Sequence, residues 1–189
     1  MKNFSEINKL LINVDMVNGF AKEGAMSDKY IMHIVPEQIK LMNKMLEENE
    51  GIAIIKDTHK EDAREFKRYP VHCVEGTSEA ELVDELKDFE KDAFVYKKNS
   101  TSTVYAPKFL EDIDKMNNLQ EVIIVGCCTD ICILNLAIPL QNYFDEKNRD
   151  IKITIPKNMV ETYNSPTHNR EEYNEIAFKL MEQAGINLI

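Results

Sequence analysis

Short apolar runs recur along this chain with longer amphipathic stretches between them, and that alternation restricts the fold more than any other feature. Residues 10–14, 52–55, 93–96, 122–125, 151–155 and 186–189 are runs of four or five residues, nearly all of them apolar. A strand with one wet face alternates apolar and polar residues, whereas a strand buried on both faces reads as a continuous apolar run. The intervening segments follow the three-and-four spacing of a helix with one apolar face. Residues 36–48 carry Ile39, Met42, Met45 and Leu46, and 78–86 carry Leu82, Val83 and Leu86. Residues 107–116, 130–144 and 171–184 complete the set. Pro36 suits a first helical turn, Gly185 reads as a C-cap, and Pro139 predicts a kink. The expected fold is a single α/β domain over residues 1–189, doubly wound, with a mainly parallel six-stranded sheet covered by helices on both faces.

No linker or repeat suggests a second domain, and 189 residues are enough to bury a core without a structural metal or disulfide. The 33 acidic against 23 basic residues leave a formal charge of −10. That balance argues against nucleic acid and against an anionic membrane surface as partners. No apolar run reaches the ~18 residues of a transmembrane helix. The first ten residues lack the apolar core of a signal peptide, so a cytoplasmic location is expected. Four cysteines stand at 73, 127, 128 and 132. Three within six residues do not resemble a secreted disulfide framework and point instead to catalysis, redox chemistry or metal binding.

In open parallel sheets the ligand crevice lies beyond the carboxyl ends of the strands, so residues at those ends are the first candidates for function. The first strand ends at Asp15, the second at Asp57 and His59, the third at Lys97 and Lys98, and the fourth at Gly126 leading to Cys132. Cys132 falls in the first turn of a helix, where the helix dipole is expected to lower the thiol pKa and backbone N–H groups can hold an oxyanion. Taken alone, it could equally be a buried structural thiol, and Asp15 could be a cap. Together the three ends offer a nucleophile, a proton acceptor and a cation, which is enough for acyl transfer through a thioester. Lys97 and Lys98 point to opposite faces of a strand, so only one can belong to such a site.

The 58–77 stretch has little periodicity, and long loops in compact domains are usually functional. Asp57, His59, Glu65 and His72 place two carboxylates and two imidazoles within 16 residues. Such a set suits a first-row dication such as Zn²⁺, Fe²⁺ or Mn²⁺. Scattered surface polar residues are the alternative. His33 and His168 read as surface residues flanking helices.

The Val14-Asp15 pair with Asn18 and Phe20, the Gly-x-x-Thr-Asp-x-Cys turn at 126–132, and the strand-end lysine before Ser102 resemble the isochorismatase-like cysteine hydrolases, and within them the nicotinamidases. The resemblance runs almost end to end. It implies an Asp-Lys-Cys trio with Cys132 as nucleophile, Asp15 as general base, and the backbone N–H groups of Cys128 and Cys132 as oxyanion hole. It also implies a cis peptide at Cys127–Cys128. The spacing to Ser102 selects Lys98, while an insertion known in some members would select Lys97; Lys98 is the preferred reading. The Tyr-Pro-x-His-Cys and Gly-Thr stretches at 69–77 match the family's metal loop. That match implies one divalent ion on Asp57, His59, Glu65 and His72, Zn²⁺ first with Fe²⁺ or Mn²⁺ as alternatives, and no organic cofactor. Glu65 stands where several relatives have His, and Tyr69 where the pocket aromatic is often Trp. Phe20 and Tyr69 are expected to line the substrate pocket. The implied reaction is hydrolysis of nicotinamide to nicotinate and ammonia, and a homo-oligomer is expected. Competing expectations are another small amide, ureide or vinyl ether on the same fold, a thiol redox sensor, or an inactive binding module.

Overall fold

The structure is a computed structural model and describes residues 3–189. Its sheet contains β1 (Lys9–Val14), β2 (Gly51–Asp57), β3 (Phe94–Lys98), β4 (Glu121–Cys127), β5 (Lys152–Ile155), β6 (Val160–Glu161) and β7 (Asn187–Leu188). The strand order is β3-β2-β1-β4-β5-β7, every pairing is parallel, and the two-residue β6 pairs with the end of β4. The expected six-stranded parallel sheet is therefore present, with β6 as a seventh, short addition. The helices are α1 (Asn18–Ala21), α2 (Val35–Glu47), α3 (Phe109–Lys115), α4 (Leu134–Glu146) and α5 (Arg170–Gln183).

Side chains on successive strand residues point to opposite faces. Leu10, Ile12 and Val14 of β1 join one core with Phe109, Leu136, Leu140, Phe144 and Phe178 from α3, α4 and α5. Leu11 joins the other core with Ile52, Ile54, Met42 and Met45, the last two from α2. Burial on both faces is why the central strands read as continuous apolar runs. The edge strand β3 is different: Phe94, Tyr96 and Lys98 are buried while Val95 and Lys97 are exposed.

The helix expected over 78–86 is not formed. Two 3₁₀ segments, Ser78–Ala80 and Asp84–Asp92, flank an extended piece in which Leu82 bridges Val17. The Asn18 N–H donates to Glu81 O and the Val83 N–H to Met16 O, so pairing with the segment after β1 replaces helical hydrogen bonds. Leu82, Val83 and Leu86 are still buried, which explains why the apolar spacing misleads. The helix expected over 130–144 begins instead as one π-helical turn, Thr129–Ile133, and continues as α4. Pro139 lies inside α4 and has no N–H for the Asn135 carbonyl four residues earlier. The Ser102 hydroxyl donates to that carbonyl at 2.5 Å.

The sheet order reverses between β1 and β4, and the crevice beyond these strands is the expected ligand position. The two backbones approach closely there. A Cβ on Gly126 would stand 2.1 Å from Val14 O, and its φ of +123° is one that other residues rarely adopt. Among the described residues, no helix is long and apolar enough to cross a membrane.

Candidate active site

Asp15, Lys98 and Cys132 meet at the carboxyl ends of β1, β3 and β4. Lys98 Nζ lies 2.8 Å from Asp15 Oδ2, 2.8 Å from Asp57 Oδ1 and 3.8 Å from Cys132 Sγ. Lys98 is 1% exposed and Asp15 is fully buried. Lys97, on the other face, pairs at the surface with Glu75. Asp15 has φ +54°, an uncommon backbone conformation for a residue with a side chain. The Cys127–Cys128 peptide is cis. Cys128 follows β4 directly and Cys132 sits in the π-helical turn, so both lie on the turn that links the crevice to α4.

Electrostatics follow from one ammonium among several acids. Burial pushes the Asp15 carboxyl up to about 6, with the Asp57 charge adding to the rise and Lys98 opposing it. For Asp57, burial is outweighed by Lys98 and the two neighbouring imidazoles, which hold its carboxyl below the usual range. Burial alone would weaken the Lys98 ammonium, but Asp15 and Asp57 keep its pKa well above normal. Burial also pushes the Cys132 thiol well up; Lys98 opposes this, and the two carboxylates reinforce it. The expectation of a low-pKa thiol at a helix start is thus corrected. Its surroundings favour a neutral thiol at rest, next to a carboxylate able to take its proton. Removing Lys98 would leave the buried Asp15 carboxylate without its cation, a loss on the order of 3–5 kcal/mol for a broken buried pair.

Asp57 also belongs to the second cluster. Its Oδ2 lies 2.9 Å from His59 Nε2 and 3.3 Å from His72 Nε2. Ligand atoms of Asp57, His59 and His72 all fall within 4.8 Å of one another, and all three residues are buried. Glu65 completes the cluster, with Oε2 3.4 Å from His59 Nε2. His72 Nδ1 lies 2.7 Å from Pro70 O, and His59 Nδ1 lies 3.3 Å from Asn99 Oδ1. Those acceptors favour the proton on Nδ1, which leaves each Nε2 lone pair facing a carboxylate oxygen. A cation between them removes that conflict, so the donor set fits a divalent metal.

Two residues missed at the level of sequence, Asn99 and Thr101, belong to the strap that follows β3. Asn99 faces His59, while the Thr101 N–H and hydroxyl both donate to Glu65 Oε1, at 2.9 and 2.7 Å. Ser102 anchors the strap on the Asn135 carbonyl. The polar run 99–102 directly after a strand is the signal that could have pointed to them. Thr101→Val removes one of two donors that leave Glu65 Oε2 as its free oxygen. Metal retention, measured by competition with a chelator, is expected to weaken ~10-fold, as for other outer partners of metal ligands.

The two clusters open onto one cavity of about 700 Å³, lined by Phe20, Tyr69, Asp57, Glu65, His72, Cys128 and Cys132 among others. Phe20 and Phe66 each pack 5.6 Å from the His72 ring, and Tyr69 lies 6.4 Å from it. His168, read from sequence as a surface residue, is only 6% exposed. That reading is corrected: its partner Asp130 is 38 residues away, which local sequence does not reveal. His33 stays at the surface, with its side chain 45% exposed.

Residues 9–189 match the isochorismatase domain family. The chain belongs to the isochorismatase family. Nicotinamidase 1 of Arabidopsis thaliana is 30% identical to it over 141 residues, covering 67% of this chain and 57% of that relative's own length. The pyrazinamidase/nicotinamidase of Streptococcus mutans superposes with a TM-score of 0.81 at 23% identity, covering 96% of this chain and all of that one, and shows the shared fold. The pyrazinamidase of Pyrococcus horikoshii in complex with zinc superposes with a TM-score of 0.77 at 25% identity, covering 96% of this isochorismatase-family chain and 98% of the other.

Proposed function

We propose that this isochorismatase-family protein is a nicotinamidase-type amidohydrolase that converts nicotinamide to nicotinate and ammonia through a thioester on Cys132. One observation carries the reading: a buried Asp15-Lys98-Cys132 cluster shares Asp57 with a His-carboxylate set suited to a divalent metal. The similarity to named nicotinamidases and to a zinc-bound pyrazinamidase supports it.

Asp15 takes the proton from Cys132 Sγ, and Lys98 stabilises both resulting charges. The thiolate attacks the carboxamide carbon. The backbone N–H groups of Cys128 and Cys132 hold the oxyanion, Asp15 returns the proton to the departing amine, and ammonia leaves. Water, deprotonated by Asp15, then attacks the thioester carbonyl; nicotinate departs and the thiol is restored. Asp57, His59, Glu65 and His72 would hold the metal, which supplies a Lewis-acid site for the pyridine nitrogen. Phe20 and Tyr69 supply apolar and aromatic walls for a flat ring.

Chelation is expected to raise the KM for nicotinamide strongly while leaving slow benzamide hydrolysis nearly unchanged, because benzamide has no ring nitrogen. His59→Ala and His72→Ala should behave alike. Full nicotinamide turnover by metal-free protein would show that the metal set does not position the substrate. The same thiol cluster could also serve a second reading, another small amide on this fold. A panel of aromatic and aliphatic amides, ranked by kcat/KM, separates the two.

A further inference from the structure

Asp130 stands between Cys128 and Cys132 in the π-helical turn, yet both of its carboxylate oxygens engage another part of the chain. Oδ1 accepts from the Thr162 hydroxyl at 2.5 Å, and Oδ2 lies 2.9 Å from His168 Nε2. The His168 Nδ1 lies 3.0 Å from Tyr163 O, so both ring nitrogens are engaged. The ring is held between two phenols, with centroids 3.9 Å from Tyr163 and 3.7 Å from Tyr173 and interplanar angles of 11° and 25°. His168 is 6% exposed and the Asp130 side chain 11%. The segment concerned follows β6, which pairs Val160 with Gly126 and Glu161 with Cys127 at the end of β4. Tyr163 also lines the cavity.

We infer that Asp130 and His168 are positioning residues: their bridge clamps the turn carrying Cys128 and Cys132 to the β6–α5 segment and so fixes the thiol against Asp15 and Lys98. Neither residue belongs to the Asp15-Lys98-Cys132 cluster or to the metal set. The clamp acts through geometry, because displacement of a reacting group by ~1 Å costs ~10²-fold in rate. The inference rests on Cys132 as the nucleophile, and the test contains one arm that does not depend on the substrate.

His168→Gln and Asp130→Asn break the bridge, and Thr162→Val removes a single hydrogen bond with little change in shape. For each, kcat and KM on nicotinamide, bound metal, thermal midpoint, and the rate of iodoacetamide labelling at the Cys132 peptide are measured. The clamp predicts kcat lower by ~10–100-fold in the first two and by about threefold or more in Thr162→Val. KM and metal content stay within twofold, and the Asp130→Asn/His168→Gln double variant is no slower than the worse single variant. Labelling at Cys132 slows in the same order. Folded variants with kcat and labelling within twofold of wild type would overturn the inference, as would single effects that multiply in the double variant. If the two bridge variants do not fold, Thr162→Val at the wild-type kcat and labelling rate overturns it equally. If the wild type does not hydrolyse nicotinamide, that result counts against the substrate alone, and slowed labelling at Cys132 still supports the clamp.

Discussion

Cys132→Ala is expected to abolish hydrolysis, with kcat reduced by ~10⁴-fold or more, as befits loss of the attacking atom. Cys127→Ala and Cys128→Ser should retain measurable activity. The distinction comes from position. Only Cys132 has its sulfur within 3.8 Å of Lys98 Nζ, whereas the Cys127 thiol is fully buried and directed at the Asp15 carbonyl at 3.2 Å. Cys128 lines the cavity, and the proposed mechanism uses only its backbone N–H. The variant should keep its metal and its thermal midpoint, because a small buried thiol leaves a small void. Wild-type activity in Cys132→Ala, checked by ammonia release, would end the thioester account.

Asp15→Asn should lose ~10²–10⁴-fold in kcat, the usual range for a general base, while nicotinamide still binds. The amide cannot take the thiol proton, and Cys132 is pushed well above the ordinary thiol range by burial. The same residue is expected to set the acid limb of the pH profile. Burial raises the Asp15 carboxyl to about 6, so activity should fall as pH drops below about 6, where the carboxylate becomes protonated. In Asp15→Asn that limb should disappear from whatever rate remains. A kcat within threefold of wild type, with the acid limb intact, would assign the base to another group.

The central strands were legible because parallel strands buried on both faces leave continuous apolar runs, and their ends pointed to Asp15, Asp57, the Lys97-Lys98 pair and the turn leading to Cys132 without any knowledge of contacts; the spacing in the family resemblance then favoured Lys98. The 97/98 ambiguity is one of strand phase, and β3 shows it as alternating burial of Tyr96, Lys97 and Lys98. The 78–86 segment misled because burial of Leu82, Val83 and Leu86 is compatible with either helix or extended chain, and long-range pairing to Met16 and Asn18 decided between them. β6 has only two residues, too short for any period to register. Asn99, Thr101 and His168 act by orienting other side chains. Polar residues in such roles carry no periodic signature, so their partners appear only once the fold brings together Glu65 with Thr101 and Asp130 with His168. The thiol pKa went the other way from expectation because two neighbouring carboxylates and burial are tertiary effects that a local helix-dipole argument omits.

The most direct measurement is to incubate the purified, metal-analysed protein with nicotinamide, quench with acid at short times, and assay ammonia, nicotinate and peptide masses together. The account predicts ammonia and nicotinate in equal amounts at steady state and a nicotinoyl adduct on the Cys132 peptide that disappears as substrate is exhausted. No hydrolysis, or an acyl adduct on any other cysteine, would contradict it.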